Sequence, residues 1–187
     1  VSFVGSRMGR PEKAKHREMK PLVHTLFPIG LSGGSRRNVI EASKKASIEV
    51  DVVKRRCINC NQTCFRIKCP RCGSETVLER VCPQCGRSLN SDDCPVCKTS
   101  TRHYARQEID IRDLLVSACK NLGLPMLSLL KGVKGMTNET KTPEIFEKGL
   151  LRAKYGLSVF KDGTIRFDAT NAPLSHFNPR EIGVSVA

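Results

Sequence analysis

Tryptophan is absent from this chain, and two tyrosines and seven phenylalanines are the only aromatics. At 5% of all residues they are too few to build a broad platform on which successive bases stack. No apolar run approaches the ~20 residues needed to span a bilayer, and no secretory signal precedes the first polar residues. Acidic residues are scarce too: 18 Asp and Glu face 32 Lys and Arg, for a formal net charge of +14. That bias favours a polyanionic partner, most often nucleic acid. The Ser32-Gly33-Gly34-Ser35 turn lacks the Gly-Lys-Ser/Thr ending of a P-loop, so its glycines alone are a weak phosphate signal. At 187 residues the chain suffices for one domain with a sizeable core or two small ones. It opens on Val1 and stops at Ala187, and reads as a segment of something longer.

Cysteine is what the chain has in excess. Eight of its ten cysteines form four Cys-x-x-Cys knuckles: Cys57/Cys60, Cys69/Cys72, Cys82/Cys85 and Cys94/Cys97. The second two pairs repeat the first two at a constant offset of 25 residues, so each half reads C-x2-C-x8-C-x2-C. This is the spacing of a zinc ribbon, in which two knuckles converge four thiolates on one tetrahedral Zn²⁺. Proline follows the first cysteine of three knuckles (Cys69, Cys82, Cys94) and fixes φ there. Four thiolates leave no open position for water, so the two sites are structural rather than catalytic. Such short ribbons need metal because they bury too little apolar surface to fold alone. Two pairings remain open: sequential, which the internal repeat favours, and a cross-brace joining Cys57/Cys60 to Cys82/Cys85. Cys64, inside the first ribbon's loop, reads as a packed thiol or a competing ligand, and Cys119 as a core residue of an apolar helix. Reduced, metal-binding cysteines imply an intracellular, cytoplasmic location.

The flanks carry the charge. Arg7, Arg10, Lys13, Lys15, Arg17 and Lys20 fall within 14 residues, in a stretch broken by Gly5, Gly9 and Pro11. A basic loop of this kind places cations and free backbone N–H groups around phosphates. Residues 22–31 are apolar and β-like, with Pro28 limiting them to an edge. His24 alternates with apolar neighbours there, which reads first as a satisfied, half-buried histidine and second as a phosphate contact. Ser35 is the expected cap of a helix over 36–46. Ile48, Val50 and Val52 alternate with Glu49 and Asp51, the pattern of a half-buried strand. Past the knuckles, residues 102–111 continue extended. Asp110 caps a helix from Ile111 to Leu122, which Gly123 ends. Residues 124–136, with Lys131 and Lys134 among glycines, read equally as a buried turn with two snorkelling lysines or as a DNA-facing loop. Pro143 starts a short helix that Gly149 closes. Lys161-Asp162-Gly163 between two alternating runs predicts a β-hairpin. His176 lies in a loop and gets no chemistry.

Several long strings resemble the large subunit of the archaeal family-D DNA polymerase. They are Arg7-Met8-Gly9-Arg10-Pro11-Glu12-Lys13-Ala14-Lys15, Met19-Lys20-Pro21 with His24, and Leu26-Phe27-Pro28-Ile29-Gly30. Lys131-Gly132-Val133 with Gly135-Met136, Glu147-Lys148-Gly149-Leu150-Leu151-Arg152, the run from Val159 to Thr170, Ala172-Pro173 with His176-Phe177, and Glu181 to Val186 continue it in the family's order. The resemblance implies an α+β fold: the β-rich part of a double-psi β-barrel polymerase core, with an inserted tandem zinc-ribbon module and a few short helices. It implies DNA-directed DNA polymerase activity for the whole complex, with primer–template DNA and dNTP as substrates and a small proofreading-nuclease subunit and a sliding clamp as partners. It also implies Mg²⁺ held by an Asp-rich Asn-x-Asp-x-Asp motif. No such motif occurs in this chain, so the segment supplies the basic side of the site and not the metal-binding acids. Arg7, Arg10, Lys13, Lys15, Lys20 and His24 are the expected contacts to nucleotide or DNA phosphates.

The expected organisation is residues 1–54 as basic loop and strands of the barrel region, 55–101 as the tandem ribbons, and 102–187 as a helix and hairpin returning to the core. Two other readings use the same composition: a free-standing zinc-ribbon nucleic-acid-binding module, and an assembly module whose ribbons bind a partner subunit.

Overall fold

The structure, a computed structural model, describes residues 19–161, 163 and 165. The basic stretch from Arg7 to Arg17, the apolar run Val1–Val4, His176 and, apart from Ile165, the second arm of the expected hairpin lie outside the described residues. What is described is a mixture of small antiparallel sheets and a few helices. No helix among the described residues is long and apolar enough to cross a membrane.

Two six-residue strands form the stem. β1 (Ile48–Val53) pairs antiparallel with β7 (Tyr104–Ile109), in register from Ile48 opposite Ile109 to Val53 opposite Tyr104. The alternation read from the sequence is realised: Ile48, Val50 and Val52 are buried while Glu49 and Asp51 face water. Everything between 54 and 103 is therefore an insert that leaves and re-enters the body through adjacent strands. The insert holds β2 (Arg55–Cys57), β3 (Thr63–Cys64) and β4 (Thr76–Leu78) in one sheet of order β3-β2-β4. β5 (Arg80–Val81) and β6 (Ser88–Leu89) make a second sheet.

The inner face of the stem packs on helix α2 (Ile111–Leu122), whose Ile111, Leu115, Ala118 and Cys119 are buried. The Asp110 side chain accepts from the backbone N–H of Asp113 at 3.0 Å, and Gly123 closes the helix at φ 61°, as the sequence predicts. Phe27 joins the same core, stacked on Phe146 at 4.4 Å and edge-on to Phe65 at 6.1 Å. Burying a side chain such as Leu115 or Leu130 contributes roughly 1.5–3 kcal/mol, so this cluster dominates the body's stability.

Three local expectations need correction. The first helix is only α1 (Val39–Ala42), and its cap is Asn38, not Ser35. Arg37 sits at φ 50°, which breaks the helix before it starts. The buried Asn38 amide is better placed, because its Oδ1 accepts from Ile40 N and from Leu130 N, both at 3.1 Å. The last described helix, α3 (Phe146–Lys154), begins after Pro143 and runs through Gly149 rather than ending there. Gly149 is a packing glycine: a Cβ on it would lie 2.5 Å from the Thr25 Cβ. Finally, residues 22–31 form no strand, yet they run beside residues 131–134. His24 N and Thr25 N donate to the Lys131 carbonyl at 2.8 and 3.1 Å, and Pro28 bridges Val133 in parallel.

Candidate metal centres and cationic face

All four knuckles are built alike. The N–H of the first cysteine donates to the carbonyl five residues on: Cys57 to Gln62, Cys69 to Ser74, Cys82 to Arg87 and Cys94 to Thr99, at 2.8–2.9 Å. The carbonyl of the first cysteine accepts from the residue after the second: Asn61, Gly73, Gly86 and Lys98. Those four residues all adopt positive φ, between 53° and 73°. Glycine takes that conformation freely, and asparagine tolerates it. Lys98 carries the greater strain, and the turn holds it there.

The knuckles bring the thiols together in two sets, Cys57/Cys60/Cys69/Cys72 and Cys82/Cys85/Cys94/Cys97, with the sulfurs of each set within 4.8 Å of one another. The grouping is sequential, and no cross-brace forms. The donor set is the one that suits a closed, tetrahedral zinc site, so the two clusters are compatible with two zinc ions. Thiol electrostatics point the same way. Cys72 is pushed down to about 6, first by the Ser74 hydroxyl and backbone. Cys82 is likewise pushed down to about 6, first by the Thr99 hydroxyl, 3.4 Å from its sulfur. A backbone hydrogen bond from Gln62 favours the Cys60 thiolate, but lost water and the neighbouring thiols outweigh it and push Cys60 up to about 12. Burial, then Cys85, Cys82 and Cys94, push Cys97 up to about 12. In the first set Cys69 as well as Cys72 is lowered while Cys60 is raised, and in the second Cys82 is lowered while Cys97 is raised; a divalent metal would favour the thiolate at every ligand. Ser74 and Thr99 occupy equivalent places in the 25-residue repeat, but they support different ligands of their sets, Cys72 in the first and Cys82 in the second.

Cys64 is outside both sets; it is buried, its sulfur lies 3.5 Å from the Arg66 carbonyl, and burial pushes its thiol up. Cys119 is a buried core residue of α2, also pushed up by burial. Among the described residues these two cysteine sets are the only groups of three or more metal-ligating side chains. The oxygen cage that Mg²⁺ requires is not among them.

Glu79 joins the ribbons to the stem, and nothing in the sequence singles it out. It lies between β4 and β5 with its side chain only 8% exposed. Arg56 of the first ribbon binds its Oε1, and Lys54 Nζ lies 3.7 Å from its Oε2. Lys54 also donates to Ser88 Oγ of the second ribbon at 3.1 Å. Burial pushes the Glu79 carboxyl up, but Ser88, Arg56 and Lys54 together hold it below its usual value. Its contribution is therefore present at neutral pH and lost as pH falls through that lowered value. Glu79→Ala is expected to cost about 1–3 kcal/mol, read as a lower melting temperature and faster zinc release from the full-length protein.

Among the described residues, cations without a carboxylate partner lie on the ribbons (Arg66, Lys68, Arg71, Arg87 and Lys98) and on the body. Those on the body include Lys20, Arg36, Arg37, Lys131 and Lys134. Backbone hydrogen bonds place their segments side by side: Gly132 N to Arg37 O at 2.9 Å, Gly30 N to Lys134 O at 3.1 Å, and the His24–Lys131 contacts above. His24 is half-buried, and its Nδ1 accepts from Lys131 N at 3.2 Å. Burial, then the Lys131 charge, lower its basicity, so His24 stays neutral with its proton on Nε2. Lys20 is exposed at the end of the basic stretch, whose Arg7, Arg10, Lys13 and Lys15 are outside the described residues. The ribbons contribute less field than their arginines suggest. Residues 55–101 hold eight Lys and Arg against four Asp and Glu, and two zinc tetrathiolates, each carrying a net charge of −2, would cancel that surplus.

A paired four-cysteine insert of zinc-ribbon type, carried on a small α+β body whose basic residues lie on neighbouring segments, is the class that fold and site define. Two family models match the chain: DNA polymerase II large subunit DP2, central domain, over residues 1–92, and the catalytic domain of the same subunit over residues 124–187. DNA polymerase II large subunits from Pyrococcus abyssi and Archaeoglobus fulgidus are 48% and 46% identical over all of the chain. That of Methanocella arvoryzae is 47% identical over 98% of it. The chain spans 13%, 17% and 17% of the lengths of these three relatives. It belongs to the DNA polymerase II large subunit family, as a segment of that subunit.

Proposed function

We propose that this chain is the part of a replicative, cytoplasmic DNA-directed DNA polymerase that holds the phosphates of nucleotide or primer–template, braced by two structural zinc ribbons. The observation that carries the reading is the match to DNA polymerase II large subunits along the whole chain. The unpaired cations give it a mechanism. Nucleotidyl transfer builds negative charge on the triphosphate as the primer 3′-hydroxyl attacks. Lys20, Lys131 and Lys134, together with Arg7, Arg10, Lys13 and Lys15, offer positive charge for it, and His24 Nε2–H offers a neutral donor. The acids that hold Mg²⁺ are assigned to another segment of the subunit, because the Asn-x-Asp-x-Asp motif that the resemblance implies does not occur in this sequence.

The body then belongs to a double-psi β-barrel core. The resemblance supports this, as does the parallel contact between Pro28 and Val133. Residues 1–54 and 102–187 form that core, interrupted by the ribbon module at 55–101, which the stem strands support. A small proofreading-nuclease subunit and a sliding clamp are the protein partners of the whole assembly. A free-standing nucleic-acid-binding ribbon protein is the poorer reading, since zinc would neutralise the ribbons' surplus charge.

Replacing Lys13 and Lys15 by Ala in the assembled polymerase tests the proposal. Incorporation is expected to fall strongly with zinc content unchanged. Wild-type turnover would reject the assignment. A change confined to DNA affinity, with the salt slope shallower by roughly one for each phosphate no longer neutralised, would favour the binding module instead.

A further inference from the structure

Glu144 and Arg152 are a buried ion pair outside the cationic face. Arg152 Nη1 donates to Glu144 Oε1 at 2.6 Å, and the side chains are 8% and 14% exposed respectively. Burying two charges loses more hydration than their attraction returns unless further hydrogen bonds use them. Here the further bonds go to one short piece of backbone. Arg152 Nη1 also donates to the His24 carbonyl at 2.9 Å, and Glu144 Oε1 accepts from Leu26 N at 2.7 Å. That same piece clasps Lys131: His24 N and Thr25 N donate to its carbonyl, and its N–H donates to His24 Nδ1. Gly149, one turn before Arg152, lets α3 approach Thr25 closely.

We infer that Glu144 and Arg152 are positioning residues of the phosphate site, fixing the His24–Leu26 backbone and through it His24 and Lys131. This rests on the reading that the cations around Lys131 serve the reaction. Neither side chain touches a phosphate; each acts by holding the segment that presents the donors. A displacement of about 1 Å at such a site costs up to ~100-fold in rate.

The test is single-turnover incorporation by the assembled polymerase carrying Arg152→Ala, Glu144→Ala or, as reference, Lys131→Ala. All three are expected to be slowed, the first two by roughly 10- to 100-fold, at temperatures well below melting. Methylguanidine added to Arg152→Ala is expected to restore part of the rate, and Glu144→Gln, which keeps the acceptor, to retain more activity than Glu144→Ala. A purely structural role lowers the melting temperature without either signature. Arg152→Ala at the wild-type rate beside a slow Lys131→Ala overturns the inference. Wild-type rates in both overturn instead the reading of the cations. If Arg152→Ala does not assemble, Arg152→Met carries the test, since it keeps much of the bulk and removes both hydrogen bonds that Nη1 donates. A slow Arg152→Met supports the inference and a wild-type rate overturns it.

Discussion

Replacing Cys94 and Cys97 together by Ser is expected to remove one zinc ion per polypeptide, measured by elemental analysis of the full-length protein, and to unfold the second ribbon. Those residues form one knuckle of the second set, and a set with two thiols left cannot close a tetrahedron. Structural zinc contributes on the order of 10–16 kcal/mol to folding such a module, far more than the two-strand β5–β6 ladder can supply. The first ribbon has its own four thiols and is expected to keep its ion. Acid should mimic the substitution at both sites. The metal requires thiolates, so zinc held at neutral pH is released as pH falls and protons win the sulfurs. Loss of both ions from the double variant would show that the sets fold as one unit. Loss of neither would remove the ligand assignment.

Replacing Lys131 and Lys134 by Ala in the assembled polymerase is expected to slow incorporation by roughly 100-fold or more, the scale seen when a single transition-state donor is lost. Both residues lie on the segment that residues 23–30 clasp through the backbone, and neither has a carboxylate partner among the described residues. The fold should survive, because the hydrogen bonds holding this segment come from its main chain, and Leu130 and Val133 remain buried. Zinc content and melting temperature should therefore match wild type while the rate does not. Equal rates would move the reaction's cations elsewhere.

The local geometry was legible wherever one side chain decides it. Cysteine spacing and its repeat foretell two four-thiol sets, and the Asp110–Gly123 frame foretells α2 to the residue. Alternation at 48–52 foretells β1, though not that β7, more than 50 residues later, is its partner. The misread elements were those that tertiary contacts decide. Ser35 has the chemistry of a cap, but Asn38 wins because its amide also serves Leu130 and Ser128. Gly149 looks like a helix end by propensity, yet it is where α3 meets Thr25. Glu79 and Glu144 carry no pattern, and Arg152 appears only as the end of a family-like string. Their roles arise from partners far away in the chain, such as the 128 residues between Arg152 and His24. The resemblance named the cations of the amino-terminal stretch. That Lys131, Lys134, Arg36 and Arg37 sit on neighbouring segments became visible only in three dimensions.

The division of labour between ribbons and body is tested most directly by an experimental structure of the assembled polymerase on primer–template with an incoming nucleotide, read for the phosphate nearest each cation. The account predicts a phosphate oxygen about 3 Å from Lys131 or Lys134 Nζ, and ribbons that bear on protein. Nucleic acid running across Arg66, Lys68, Arg71 and Arg87 of the ribbons, with both lysines clear of any phosphate, would contradict it.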